Sequence, residues 1–566
     1  MGLHIADIFV LVLYFAGMTA IGIWASRKIK SSDDFFMPRR FGKILMTMFS
    51  FGSGTHADMA VSVASKSFTN GLSGIWYQWL YLPVTPFYWL IAPVFRRFRA
   101  ITTSDVFEAR YSRSVAILYA VVGVLNLAVN IGVMLKGSGE VISASTRGLL
   151  SADYAIAAMT VIFVIYGVAG GLTAAVVTDF FQGILTIIFS FMLLPFILNA
   201  VGGLQGLHEA IKDPAMLSLV APAEIGFFYV AVISFNGLVG IVTQPHTMAN
   251  CAAGKTEMEG RVGFMAGPLV KRICTIPWCL TGVAAVVYFA GRQMEPDKVF
   301  GAVAGEFLPR VMPGILGVFL AAVLASVMSS CGVFMISSSA LFTENVYKHL
   351  ISRKKNEHYI LVGRVVSVLV VGGGVGFAYW LPNVVKGLEI FWMIPPMMGI
   401  VFWLGLFWRG ATVAGAWAAT LAGFGTWFLT TKVFFIRFAA GLPGAQSLRF
   451  VIEKGTGTEI YMPWQMIFYL AVGLIAGVAV SLLTRPVNKD KLEKFYALVR
   501  TPIRPGEQVP AACTLPADAV VPAKRNIFPN SSFEIPIPSR ISIIGFLVGW
   551  VCVAVIIYSV YVIATI

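Results

Sequence analysis

Charge is what this 566-residue chain has least of. Asp, Glu, Lys and Arg make up 12% of it and hydrophobic residues 58%, whereas an average soluble protein carries ~25% charged residues. No soluble surface can be built at that ratio without large exposed apolar patches. The three or four soluble domains that the length alone would allow are therefore excluded, and an integral membrane protein is expected. Cysteine is sparse too. Six residues are too few for a disulfide scaffold, and Cys274, Cys279, Cys331 and Cys552 sit in apolar runs where a thiol acts as a small hydrophobe. The chain has no CxxC pair and no Cys/His cluster, so a transition-metal site is not expected. It has no GxSxG elbow either, which leaves an intramembrane hydrolase unsupported. A cleavable signal is not expected, because the first apolar run is of spanning length and basic residues follow it.

The charge that is present leans basic, 42 Lys and Arg against 27 Asp and Glu, and it sits in short connections. A spanning helix needs ~20 mostly apolar residues. Fourteen such runs are expected, at 4–26, 44–68, 72–95, 114–144, 153–172, 176–200, 224–244, 266–289, 312–342, 358–381, 386–407, 411–432, 462–484 and 541–564. Arg27, Lys28, Lys30, Arg39 and Arg40 follow the first run. Arg96, Arg97, Arg99, Arg110 and Arg113 follow the third, and Lys348, Arg353, Lys354 and Lys355 follow the ninth. A further basic stretch, 485–540, precedes the last run. These connections share one face if both termini lie outside, which by the positive-inside rule makes that face cytoplasmic. The Pro content of 485–540 reads as a cytoplasmic linker.

Two runs carry interruptions. The second reads Phe51-Gly52-Ser53-Gly54-Thr55-His56-Ala57-Asp58, and the seventh holds Asn236-Gly237 and Gly240. Glycines and polar groups at bilayer depth are tolerated where the freed backbone lines a cavity. Two interrupted helices, each opening five spans, point to an inverted-repeat transporter with its site at the midplane. The expected organisation is a leading helix and first cytoplasmic loop (1–41), a first repeat (42–200), an external loop (201–223), a second repeat (224–407), two additional helices (408–484), the linker (485–540) and a final helix (541–566).

The densest polar cluster inside an apolar run is Ser326, Ser329 and Ser330, followed by Ser337, Ser338 and Ser339. Positions three and four apart share a helix face. The first three hydroxyls suit a small hard cation such as Na⁺, or they bond the carbonyl a turn back. His56 and Asp58 lie in the break of the second run, where an ionisable residue is a functional candidate by default, or a pair that caps a half-helix. Asp179 opens the sixth run, where an acid caps a helix N-terminus; it is also carried as a coupling or gating candidate. Lys271 and Arg272 fall within a turn or two of the start of the eighth run. Snorkelling to the interface explains them as well as anion binding does.

Several pieces in order resemble the sodium/solute symporters that include the sodium–glucose and sodium–proline cotransporters. They are Thr103-x-x-x-Phe107-x-x-x-Arg110-Tyr111, Tyr166-Gly-Val-Ala-Gly170-Gly171-Leu with Thr178-Asp179-x-x-Gln182, Ser329-Ser330 with Thr343-Glu-Asn-Val-Tyr347, and Gly405-Leu-Phe-Trp-Arg409 with Gly415-Ala416. The resemblance covers about residues 5 to 484. It implies an all-α, LeuT-type core of two inverted five-helix repeats with broken first helices, and no enzymatic activity. It implies a sodium site from Gly52, Thr55, the Ser326 carbonyl, Ser329 and Ser330, with one Na⁺ per cycle because Gly332 and Val333 stand where a second site would need hydroxyls. It places substrate contacts at Met59, Gln78, Tyr81, Val232 and Phe235. Gln78 and Val232 do not keep the sugar pattern, so the solute is read as small, polar and organic, with His56, Asp58 and Asn236 added. The partners implied are that solute, Na⁺ as coupling ion with no other cofactor, and the bilayer of the plasma membrane. A solute sensor on the same fold, or proton coupling through His56 and Asp58, are the alternatives.

Overall fold

The computed structural model describes residues 3–26, 37–220, 225–351, 354–454, 457–504, 506–507, 509 and 511–565. The side chains of 22, 25–26, 165–171, 174 and 454 lie outside that description, and with them the Tyr166–Gly171 motif. Arg27, Lys28, Lys30 and Arg353 lie outside it as well.

The described residues are mostly helical, with one two-stranded antiparallel ribbon, Val451–Lys454 against Gly457–Ile460. Eight helices are long and apolar enough to cross a bilayer, or ten if each of two sharply bent pairs counts as one span. Fourteen runs were expected, and the difference lies in how the chain breaks. The second run is two short helices, α1 (Lys43–Gly52) and α2 (Ala57–Asn70). The third opens with a 3₁₀ segment, Gly71–Ile75, before α3 (Thr85–Arg97). Neither piece is long enough alone. The runs at 153–172 and 176–200 continue into one another as α5 (Ala152–Met192), which follows α4 (Arg113–Ser145). At 1.5 Å per residue α5 is ~60 Å long. Gly170 and Gly171 do not stop it, since a helical glycine costs only ~1 kcal/mol. The helix ends at Leu193, where Pro195 follows and its ring would clash with a carbonyl one turn back.

The seventh run is also broken, but not where the glycines suggested. α6 (Phe227–Ile241) runs through Asn236 and Gly240, and the chain turns by 72° before α7 (His246–Ala252). Pro245 sets that position, because its nitrogen has no proton to donate. α8 (Glu257–Tyr288) starts nine residues before the expected span, on a Thr256–Glu259 capping box. The centre of the bundle is α9 (Ile315–Phe342), buried along its apolar length. Its N-terminus is capped from the leading helix, where Asp7 accepts from the Gly317 amide at 2.8 Å. Behind it lie α10 (Asn356–Trp380) and α11 (Val384–Phe407). The Arg540–Thr565 helix is mostly exposed at the periphery, as a lipid-facing helix would be.

The first part of the Pro-rich 485–540 stretch packs against the bundle, while the described residues from 511 to 540 are mostly exposed apart from Asn526 and Glu534. A helix at Lys489–Arg500 buries Leu492, Phe495, Tyr496 and Leu498. Arg99, fully buried, donates to Glu507 and to the carbonyls of Thr501 and Pro502. Arg409 joins Glu493 and Glu534. Burial alone would raise Glu507, but hydrogen bonds and charge, led by Arg99, outweigh it and hold the carboxyl below its ordinary range. A carboxylate depressed in the folded state stabilises at pH above its unfolded value, and the contribution is lost as pH falls through the folded one. Limited proteolysis within 501–507 should therefore be slow at pH 7 and faster near pH 3–4, with Glu507→Gln fast at both.

Gly71 ends α2 with φ +67°, and a Cβ there would lie 2.0 Å from the Met216 carbonyl oxygen. That carbonyl belongs to the 211–220 loop, which is also held by the Trp76 indole donating to Leu219 at 2.8 Å. Gly71→Ala should lower thermal stability by at least the ~1–3 kcal/mol typical of backbone strain, read as a fall in melting temperature of the purified protein.

Candidate ion and solute site

The site is built on the break between α1 and α2. Residues 53–56 leave the helix there, and Gly52, Gly54 and the extended His56 make that possible. Backbone groups freed in this way must find partners. Gly52 offers its carbonyl to the Ser330 hydroxyl at 3.0 Å. A Cβ at Gly52 would lie 3.0 Å from Ser329 Oγ and 3.4 Å from Asp179 Cβ, so a larger residue would push Ser329 back by a few tenths of an ångström. Ser329 Oγ donates to Asp179 Oδ1 at 2.6 Å, while Asp179 Oδ2 has no partner among the described residues. Thr55 Oγ1 is buried nearby in the sequence and likewise unpartnered. Ser326 is fully buried and its hydroxyl bonds back to Val323 at 2.8 Å.

Three helices thus bring together one carbonyl, two hydroxyls and a carboxylate, all hard oxygen donors of the kind that small hard cations take. Asp179 does not cap a helix. It lies within α5, fully buried, because α5 runs on where two spans were expected. Its role as an oxygen of this cluster is what the sequence reading missed, although Thr178-Asp179-x-x-Gln182 carried a signal. Gln182, one turn on from Asp179, donates to the Tyr14 hydroxyl of the leading helix at 3.2 Å.

The other side of the break carries the remaining candidates. His56 Nδ1 contacts Asp58 Oδ1, and both side chains are buried. α4 closes on them: a Cβ at Gly137 would lie 2.3 Å from Asp58 Cβ. Lys271 Nζ donates to the Gly54 carbonyl at 2.6 Å, and Arg272 donates to the Gln78 carbonyl at 2.5 Å. These two bases do not snorkel. They are buried in α8, fourteen and fifteen residues past its first residue, because that helix starts earlier than the apolar run. Tyr81 accepts from Gln244 at 3.2 Å, and Met59 and Gln78 are buried. Ser53 Oγ joins Asn250 at 3.0 Å, tying the first broken helix to α7. His246 packs its ring at a tilt against Phe334, and its Nδ1 has no partner among the described residues.

Two expected contacts are not brought in. Phe235 is 59% exposed, on the outer side of α6. Asn236 is buried but engaged elsewhere, donating to the Trp392 carbonyl at 3.1 Å and accepting from Tyr469 at 2.5 Å. Once α6 runs straight through this stretch, 235 and 236 no longer sit in a break. Val232 is partly buried.

Comparisons place these observations among known proteins. The family model for the sodium:solute symporters matches residues 35–423. The chain is 24% identical over 86% of its length to a sodium/glucose cotransporter of Vibrio parahaemolyticus, covering 92% of that protein. It is 26% identical to a sodium/pantothenate symporter of Escherichia coli over 73% of this chain and 88% of the other, and 26% identical to the osmoregulated proline transporter OpuE of Bacillus subtilis over 85% and 96%. The fold is shared with a Na⁺-coupled sialic acid symporter solved substrate-bound and outward-open, with a TM-score of 0.67, 19% identity and coverage of 85% of this chain and 98% of that one. It is shared more distantly with Mhp1, a nucleobase-cation-symport-1 family transporter, with a TM-score of 0.52, 11% identity and coverage of 82% and 99%.

Proposed function

Given that this chain belongs to the sodium:solute symporter family, a family of membrane transporters rather than enzymes, we propose that it imports a small polar organic solute with one Na⁺ per cycle by alternating access. The observation that carries the reading is the convergence of the Gly52 carbonyl, Ser329, Ser330 and Asp179 on a helix break. The sodium ion would be held by the Gly52 carbonyl, Thr55, Ser329, Ser330 and Asp179, with the Ser326 carbonyl below them. The solute would lie on the far side of the same break, against His56, Asp58, Met59, Gln78 and Tyr81. In this scheme the two repeats are 42–200 and 224–407, the membrane is the plasma membrane, and both termini face outward.

An ion that occupies the break draws α1, α5 and α9 together. Because α2 continues from the same break, the solute side is set by the ion side, and the two bind with a shared coupling free energy. Sodium-driven uptake of a radiolabelled solute panel into proteoliposomes tests the reading, with potassium replacing sodium as the control. The charge moved per cycle should be one more than the solute's own. A neutral solute then gains ~2.3 kcal/mol per 100 mV, about fiftyfold in accumulation, while a monoanion gains nothing from voltage. Uptake indifferent to sodium but driven by a proton gradient would favour coupling through His56 and Asp58 instead.

Orientation is tested separately. In a background without native thiols, cysteines at 440 and beyond 564 should react with an impermeant reagent from outside, and one at 515 should not.

A further inference from the structure

Lys271 and Arg272 are adjacent on α8, 7% and 2% exposed, and about 21 Å along the helix from its start at the 1.5 Å rise of an α-helix. A buried ammonium needs acceptors for three donors. Lys271 has one, the neutral Gly54 carbonyl. Arg272 gives a hydrogen bond to the Gln78 carbonyl and lies 5.8 Å over the Tyr81 ring, while its Nε has no partner among the described residues. No ion pair joins either base to an acid among the described residues. The acid whose charge acts on Lys271 is Asp58; its Oδ1 is engaged by His56, and its Oδ2 has no partner among the described residues. Two buried cations therefore face one carboxylate, which can neutralise only one of them. Buried charge is retained where it is paired, and here the protein supplies half of the pairing.

The missing half has a chemical description. It must be anionic, offer more than one oxygen acceptor, and reach the solute side of the α1–α2 break beside Lys271. We propose that the transported solute carries a carboxylate, bound by the Lys271 ammonium with Arg272 behind it. This rests on the symport reading above and narrows it. Gly54, which Lys271 holds, is two residues from Gly52, which faces the ion cluster, so the two charges that bind would organise one stretch of backbone from opposite sides. His56 and the unpartnered His246 Nδ1 remain to contact the rest of the solute.

The test is thermal unfolding of the purified full-length protein with matched acids and amides: lactate and lactamide, succinate and succinamide, nicotinate and nicotinamide, each in sodium and in potassium chloride. The expected result is that sodium alone raises the melting temperature and that acids raise it further, while their amides do not. Lys271→Met should keep the sodium effect and weaken the acid effect roughly ten- to a hundredfold in concentration, the size of a lost hydrogen bond to a charged group. Lys271→Arg should recover part of it. Amides as effective as acids, acids without effect while sodium acts, or a Lys271→Met protein that responds like the parent would each overturn the carboxylate and leave sodium symport standing. A parent protein indifferent to sodium would overturn the symport reading, and this proposal with it.

Discussion

Asp179→Asn should raise the sodium concentration for half-maximal uptake by up to a thousandfold, or abolish sodium dependence within the usable range. Asn is nearly isosteric and can still accept from Ser329, so the change removes a charge and little else. A unit charge ~4 Å from a sodium ion at an effective dielectric of ~20 is worth ~4 kcal/mol, close to a thousandfold in affinity. The carboxylate is fully buried, and its Oδ2 has no partner among the described residues, which gives the ion an unshared acceptor. Asp179→Glu keeps the charge but adds a methylene to a side chain that packs against Gly52. It should give an intermediate sodium affinity. Unfolding in potassium chloride separates both effects from simple destabilisation.

The second large effect belongs to the serines. Each oxygen around a dehydrated cation replaces part of its water shell, and neighbouring backbone cannot move to fill a gap. Ser329→Ala and Ser330→Ala should each weaken sodium by roughly ten- to a hundredfold, if a hydroxyl is worth the ~1.5–3 kcal/mol of a hydrogen bond to a charged group. Solute affinity should fall at low sodium and recover at high sodium, because ion and solute are coupled and not competing. Ser337→Ala is the control. Ser337 lies two turns further along α9 and lines a cleft with Pro245, Ala249 and Thr102 instead, so its sodium titration should match the parent.

The membrane class and the cluster of oxygens at the helix break were legible in the sequence for a physical reason. Polar groups are so costly in hydrocarbon that Gly52, Thr55 and the Ser326–Ser330 group stand out from the runs that hold them. Helix lengths were less legible. Apolarity marks where a helix can lie in lipid but not where its hydrogen bonds stop, so α5 ran through two expected spans and α8 began nine residues early. Both differences bear on candidate residues: the first left Asp179 between a cap and a coupling residue, the second left Lys271 and Arg272 between interface residues and an anion site. The break in α6 followed the missing proton of Pro245, while flexible glycines and Asn236 stayed helical. The packing of 485–540 could not be read from composition, because it depends on Arg99, Arg409 and their carboxylate partners meeting across distant parts of the chain.

The most direct measurement of the central claim, that one sodium ion at the α1–α2 break drives solute movement, is a sodium titration of uptake in proteoliposomes at fixed solute and clamped voltage. The account predicts a hyperbolic curve with a Hill coefficient near one, shifted to higher sodium by Ser329→Ala and Ser330→Ala and unmoved by Ser337→Ala. Uptake that ignores sodium, or three serine variants that all titrate like the parent, would contradict it.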